Sequence, residues 1–187
     1  MIIDNDFLNK ETKESVYSFF LGDPQTFSWL FYGETSKAKD KKDIISDNNV
    51  VEQFQMVGPI TANTPAFGVV MNIFNKFVIK HDISVNKVFR IKANLLTRGS
   101  GDGYHLPHID KDTPHKVFLY YVNDSDGDTI MFDKFFDPNK ESMKNMSISD
   151  RVSPEMGKAI FFDGYQYHAS SSPITNDFRC VINIDFT

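Results

Sequence analysis

The residues with the strongest claim to chemistry are His108 and Asp110, two apart in the stretch YHLPHIDKDTPHKVFLYYVN from Tyr104 to Asn123. Strand alternation puts both side chains on one face. A neutral imidazole and a carboxylate held that way can fill two adjacent corners of a metal's coordination sphere. A third ligand must come from elsewhere, and His168, in FFDGYQYHASSSP, is the best candidate. Eleven residues further on, Arg179 stands inside the C-terminal run FRCVINIDF, where a buried guanidinium needs an anionic partner. An isolated H-x-D recurs by chance. What raises this one is the order that follows: a strand pair, the Gly-led apolar strand GKAIFF, a His, then an Arg on the last strand. His81, His105 and His115 have no such context and read as structural or solvated groups, His105 with a second reading as a pocket-lining side chain.

HID at 108–110, YYVN at 120–123, GKAIFFDG at 157–164, His168 and Arg179, with RIKANLL at 90–96 leading in, together form a composite signal. It resembles the iron(II)- and 2-oxoglutarate-dependent oxygenases, in particular the prolyl 4-hydroxylase-like branch and its small phage-encoded members. The resemblance covers residues 85–187 strongly and the N-terminal third loosely. It implies that His108, Asp110 and His168 hold Fe(II), two imidazoles and a carboxylate leaving three positions of an octahedral ion open. Closed zinc sites instead fill four positions, mostly with Cys and His, and this chain has one Cys. It further implies 2-oxoglutarate and O2 as cosubstrates, with ascorbate as a possible reductant, and hydroxylation of a C–H bond with release of succinate and CO2. Arg179 is then the fork that binds the distal carboxylate of 2-oxoglutarate through two parallel hydrogen bonds. Tyr121, which shares the inward parity of Leu119 and Asn123, resembles the tyrosine that bonds the same carboxylate. Asn94 resembles a position that contacts 2-oxoglutarate. The chain departs from the pattern at Leu96, or Leu95 in a shifted register, where many relatives carry a tyrosine.

Composition bounds the rest. A chain of 187 residues with 41% apolar side chains and 18 Phe suffices for one domain with a sizeable core. A net charge of −5 argues against a general nucleic-acid or anionic-membrane surface. A lone cysteine, Cys180, excludes a disulfide framework within the monomer and suits a reducing cytoplasm, the host's if the chain is phage-encoded. The opening MIIDNDFLNK is acidic and polar, unlike a signal peptide, and no apolar run approaches a membrane span.

The elements that must position these groups can be read in order. Asn9 caps a helix over about 10–21, stopped by Gly22. The aromatic run 23–35 has no clean period; it could form a strand or a cleft wall, and core is its default reading. Residues 36–49 are polar with alternating charge and read as a solvated loop or, less simply, a substrate lid. A second helix is capped by Thr64, opened by Pro65 and carries Phe67, Val70, Met71, Phe74, Phe77 and Val78 on one face, which should lie across the outside of a sheet. Strands follow near 88–97, 115–123, 128–133, 145–152, 158–163 and 177–186. NDSDGD at 123–128 reads as a strand-connecting turn and not a calcium loop. Short strands behind helices indicate a mainly β fold with flanking helices. The resemblance narrows it to a double-stranded β-helix, a jelly-roll or cupin-like barrel at 85–187 behind a helical support at 1–84. The glycine-rich turn TRGSGDGYH at 97–105 runs into His108, so Arg98, Tyr104 and His105 are expected as substrate contacts. The substrate expected is a protein, a peptide or a small amino acid. Alternatives are a nucleic-acid base or a catalytically silent metal-binding jelly roll.

Overall fold

The computed structural model describes residues 1–22, 27–34, 49–51, 53–101, 103–138 and 146–187. Two helices take the predicted places. α1 (Lys10–Leu21) begins where the Asn9 side chain accepts the Thr12 N–H at 2.9 Å, and ends where the Gly22 N–H donates to the Ser18 carbonyl at 3.0 Å. α2 (Pro65–Lys80) opens on its proline, but Thr64 does not cap it with its side chain. Its hydroxyl donates backwards to the Thr61 carbonyl at 2.8 Å. The buried face of α2 is Ala66, Val70, Ile73, Phe74, Phe77 and Val78, with the predicted Phe67 and Met71 only half-buried at its margin.

Ten strands complete the order among the described residues. They are β1 (Ile2–Asp4), β2 (Leu30–Tyr32), β3 (Gln55–Pro59), β4 (Val88–Thr97), β5 (Lys116–Tyr121), β6 (Thr129–Phe135), β7 (Ile148–Val152), β8 (Ala159–Asp163), β9 (Gln166–Ser170) and β10 (Phe178–Phe186). One sheet runs β1-β8-β5-β10-β4-β3-β2 and a second runs β7-β6-β9, every pairing antiparallel. Alternation along the central strand β10 explains the layering. Cys180, Ile182, Ile184 and Phe186 pack with Phe118, Tyr120 and the apolar face of α2 on the outside of the large sheet. Side chains of the other parity, with Val181, Val117, Leu119, Tyr121, Ile160 and Phe162, turn inward against Met131 and Val152 of the small sheet. A mutual backbone bridge between His108 and His168 ties the segment after β4 to β9. The result is the mostly β jelly roll with buttressing helices that the sequence indicates.

Four strands add to the six expected. β1, β3 and β9 fall in runs with no strand expectation, β3 ending in a Gly-Pro pair that breaks a strand pattern. In the aromatic run Phe27 and Trp29 pack against the core as expected, while β2 takes the strand alternative and corrects the core reading for Leu30–Tyr32. Leu30, Phe31 and Tyr32 are exposed, because β2 pairs with β3 alone and forms the edge of the sheet. Residues 36–48 of the expected loop or lid lie outside the described residues.

Candidate metal centre and anion pocket

His108, Asp110 and His168 converge, one ligand atom from each lying within 4.8 Å of the others. The chain sets both imidazoles the same way. Nδ1 of His108 lies 3.1 Å from the Leu106 carbonyl, and Nδ1 of His168 lies 3.1 Å from the Gln166 carbonyl. A ring nitrogen facing a carbonyl must donate, which leaves each Nε2 lone pair free for a metal. Burial pushes both imidazoles toward the neutral form that a metal takes, His108 down to about 4. Burial would raise the Asp110 carboxyl, but Lys92, His168 and Arg90 outweigh it and hold it ionised. The donor set therefore suits a divalent ion: two neutral nitrogens and one carboxylate, no thiolate, and fewer protein ligands than a closed site needs.

Asp110 is held on both oxygens. Asn183 Nδ2 donates to Oδ2 at 3.1 Å, and the Arg90 guanidinium pairs with Oδ1. Arg90 also reaches Asp185 at 2.7 Å. Asp185 is fully buried, and burial followed by the nearby Asp110 charge pushes its carboxyl up to about 7. The carbonyls of residues 106 and 166 partner the ligand histidines, and Asn183 serves the carboxylate.

Arg179 lies on the inward face of β10, 2% exposed. Its Nη2 donates to Thr129 Oγ1 at 2.7 Å, and the same hydroxyl oxygen accepts the Tyr121 O–H at 2.7 Å. The guanidinium stands 5.7 Å from the Tyr121 ring, and its Nε is buried with no hydrogen-bond partner among the described residues. Burial pulls the guanidinium down from its ordinary value, and no carboxylate of the described residues forms an ion pair with it. The Asp128 charge acts on it without contact, and the groups that touch it are a hydroxyl and a ring, so a buried cation here is costly unless an anion joins it. Asn94, opposite Val181 in the β10 register, shares this inward face. Its Nδ2 donates to Gln55 at 2.6 Å, and its Oδ1 is buried without a partner.

The three residues expected around the 97–105 turn are not brought together. Tyr104 packs edge-on against Phe132 in the cluster on the outer side of the small sheet. His105 is buried between Ser170 (2.9 Å) and Ser172 (3.1 Å), and burial together with Arg179 lowers it to about 4. Arg98 is exposed and tied to Asp177 at 2.6 Å and to the Thr175 carbonyl at 3.0 Å. The turn is closely seated at Gly99 and Gly103, where a Cβ would come within 2.8 Å of Ser172 and 2.5 Å of the Asn49 carbonyl. His81 bonds Asp4 at 2.7 Å, and His115 Nδ1 bonds the Thr113 carbonyl at 2.8 Å. Sequence reading missed Thr129, Arg90 and Asp185. The last had a signal, since Arg179, Asn183 and Asp185 are polar residues of one parity in an otherwise apolar strand.

No protein-family model matches the chain, and no curated protein matches it in sequence. Solved structures do match in fold. A prolyl hydroxylase from Trichoplax adhaerens, in complex with a hypoxia inducible factor oxygen degradation domain peptide fragment, superposes with a TM-score of 0.63 at 15% identity, over 99% of this chain and 82% of that one. HygX from Streptomyces hygroscopicus, with nickel and 2-oxoglutarate bound, gives a TM-score of 0.64 at 12% identity, over 99% and 81%. The viral collagen prolyl hydroxylase of Paramecium Bursaria Chlorella virus-1, in its 2OG complex, gives 0.53 at 12%, over 99% and 93%.

Proposed function

On the premise that this chain has the jelly-roll fold found in prolyl hydroxylases and other 2OG-Fe(II) oxygenases, we propose that it is an Fe(II)- and 2-oxoglutarate-dependent dioxygenase that hydroxylates a C–H bond of a peptide, protein or small amino-acid substrate. The observation that carries the reading is the buried Arg179, with no carboxylate of the described residues in ion-pair contact, on the same inward sheet face as the groups that hold the His108, Asp110 and His168 cluster. A metal triad alone suits many chemistries. A triad with an unanswered buried guanidinium suits a metal together with a bound organic anion.

When bound, Fe(II) would activate O2 as the oxidant, with 2-oxoglutarate oxidised to succinate and CO2 and the second oxygen atom going to the substrate C–H bond. The chain supplies position and charge. His108 and His168 present Nε2 because their Nδ1–H groups are committed to carbonyls. Arg90 and Asn183 fix the Asp110 carboxylate. Arg179 receives the distal carboxylate, oriented by Thr129, while Tyr121 lends its hydroxyl to the same pocket. Burial raises the Tyr121 phenol to about 12, so it stays a neutral donor. Asn94 Oδ1, buried and unpartnered, is a further polar contact for the cosubstrate. Of the proposed substrate contacts Arg98, Tyr104 and His105, His105 lies nearest the anion pocket, where the Arg179 charge acts on it. A cytoplasmic setting fits the buried free Cys180, and no helix of the described residues is long and apolar enough to cross a membrane.

The test is calorimetric titration of 2-oxoglutarate into the anaerobic, Fe(II)-loaded protein. The parent should bind one equivalent. Arg179→Ala leaves a buried carboxylate without its cation, a loss of about 3–5 kcal/mol, and affinity should fall at least a hundredfold while Fe(II) binding persists. An unchanged titration would remove Arg179 from the pocket.

A further inference from the structure

Lys92 is the cation beside the triad that the mechanism above does not use. The β4 register sets it opposite Asn183, the residue that bonds Asp110, so it lies on the inward face of the large sheet. Its side chain is 20% exposed, and its Nζ comes no closer than 3.9 Å to Asp110 Oδ1. No hydrogen bond to that ammonium exists among the described residues. The nearby anions are all engaged elsewhere. Asp110 is shared between Arg90, Asn183 and the metal position. Asp185 faces Arg90 at 2.7 Å. Once the carboxylate of Asp110 serves a metal, Lys92 is left as a largely desolvated point charge without an anion.

Its location separates it from the cosubstrate anchor. Arg179 pairs with Leu96 in the same register, four residues along β4 from Lys92, or about 13 Å of strand. Lys92 faces Pro59 on β3, and its inward neighbour Asn94 faces Val57, which in turn faces Leu30 on the edge strand β2. β2 ends at Leu30, level with Asn94, so no residue of the edge strand stands opposite Pro59 and Lys92, and the Lys92 side chain itself reaches solvent at 20% exposure. We propose that Lys92 receives a carboxylate of the substrate beside the metal, which makes the substrate class one with a free carboxylate near the carbon that is oxidised. The inference rests on the oxygenase reading for the word substrate. A carboxylate of the cosubstrate is the other source of the same chemistry, and the test separates them.

The probe is acetate, with acetamide as its neutral counterpart, read by paramagnetic broadening of the methyl proton signal in the Mn(II)-loaded protein at saturating 2-oxoglutarate. The parent should broaden acetate saturably, beyond a Zn(II)-loaded control, and leave acetamide sharp. Lys92→Met keeps the aliphatic stem and should weaken acetate at least tenfold with Mn(II) affinity unchanged, whereas Lys92→Arg should retain it. Persistence of the broadening in Lys92→Met, or its absence in the parent, would overturn the proposal. Loss of the parent's acetate signal as 2-oxoglutarate is added would also overturn it, because the anion would then be the cosubstrate's own. If 2-oxoglutarate fails to bind at all, the oxygenase reading falls, while the acetate comparison still decides whether Lys92 holds an anion.

Discussion

Thr129 is the small residue on which the proposed anion pocket turns. One hydroxyl oxygen accepts from both Tyr121 and Arg179 at 2.7 Å, so it sets the direction of the guanidinium before any ligand arrives. Thr129→Val keeps the shape and removes the acceptor. Each lost hydrogen bond is worth about 1 kcal/mol net, so 2-oxoglutarate affinity should fall roughly tenfold with metal affinity unchanged. Equal 2-oxoglutarate titrations for parent and variant would contradict this. Nothing in SDGDTIMF marks Thr129 in advance, since threonine is an ordinary strand former. His108, Asp110, His168 and Arg179 stood out through their order along the chain, and the structure places the ligand atoms of the first three within 4.8 Å of one another. Arg90 and Asp185 were hidden because a pairing between two strands distant in sequence is visible only once β4 lies beside β10.

At the scale of elements, the acidic turn between β5 and β6 acts as a staple. Asp126 accepts the Thr175 N–H and hydroxyl, both at 2.8 Å, together with the N–H groups of Ile174 and Asn176. Asn176 Oδ1 accepts the Asp126 N–H in return. Burial raises this carboxyl slightly, but the donors of residues 174–176 outweigh it and hold it below its ordinary 3.8. A depressed carboxyl contributes stability that is complete above its unfolded value and is lost as pH falls below it. Asp126→Ala should therefore lower the melting temperature at pH 7, and the gap should narrow as pH is lowered from 5 toward 2. Parallel melting curves against pH would remove the staple. Long elements such as α2 and β4 were legible because periodicity had room to repeat. The three-residue strands β1 and β2 and the polar β9, QYHAS, were not, since so short a span offers pairing partners and no period.

At the scale of the molecule, the two sheets divide labour. The large sheet supplies Arg179, Asn183, Arg90, Lys92 and Tyr121, the small sheet supplies His168 and Thr129, and the His108 bridge closes the centre between them. The centre depends on that closure, so metal binding should raise the melting temperature by linkage to the folded state. Asp110→Ala should abolish that rise, and a full Fe(II) stabilisation of the variant would place the metal elsewhere. The most direct test of the account is succinate formed from 2-oxoglutarate under air by the Fe(II)-loaded protein, with candidate carboxylate substrates present. The parent should release succinate in an Fe(II)-dependent manner. Asp110→Ala should release none, and Arg179→Ala should need at least a hundredfold more 2-oxoglutarate. Release of succinate by Asp110→Ala at the parent's rate would contradict the assignment of the metal centre.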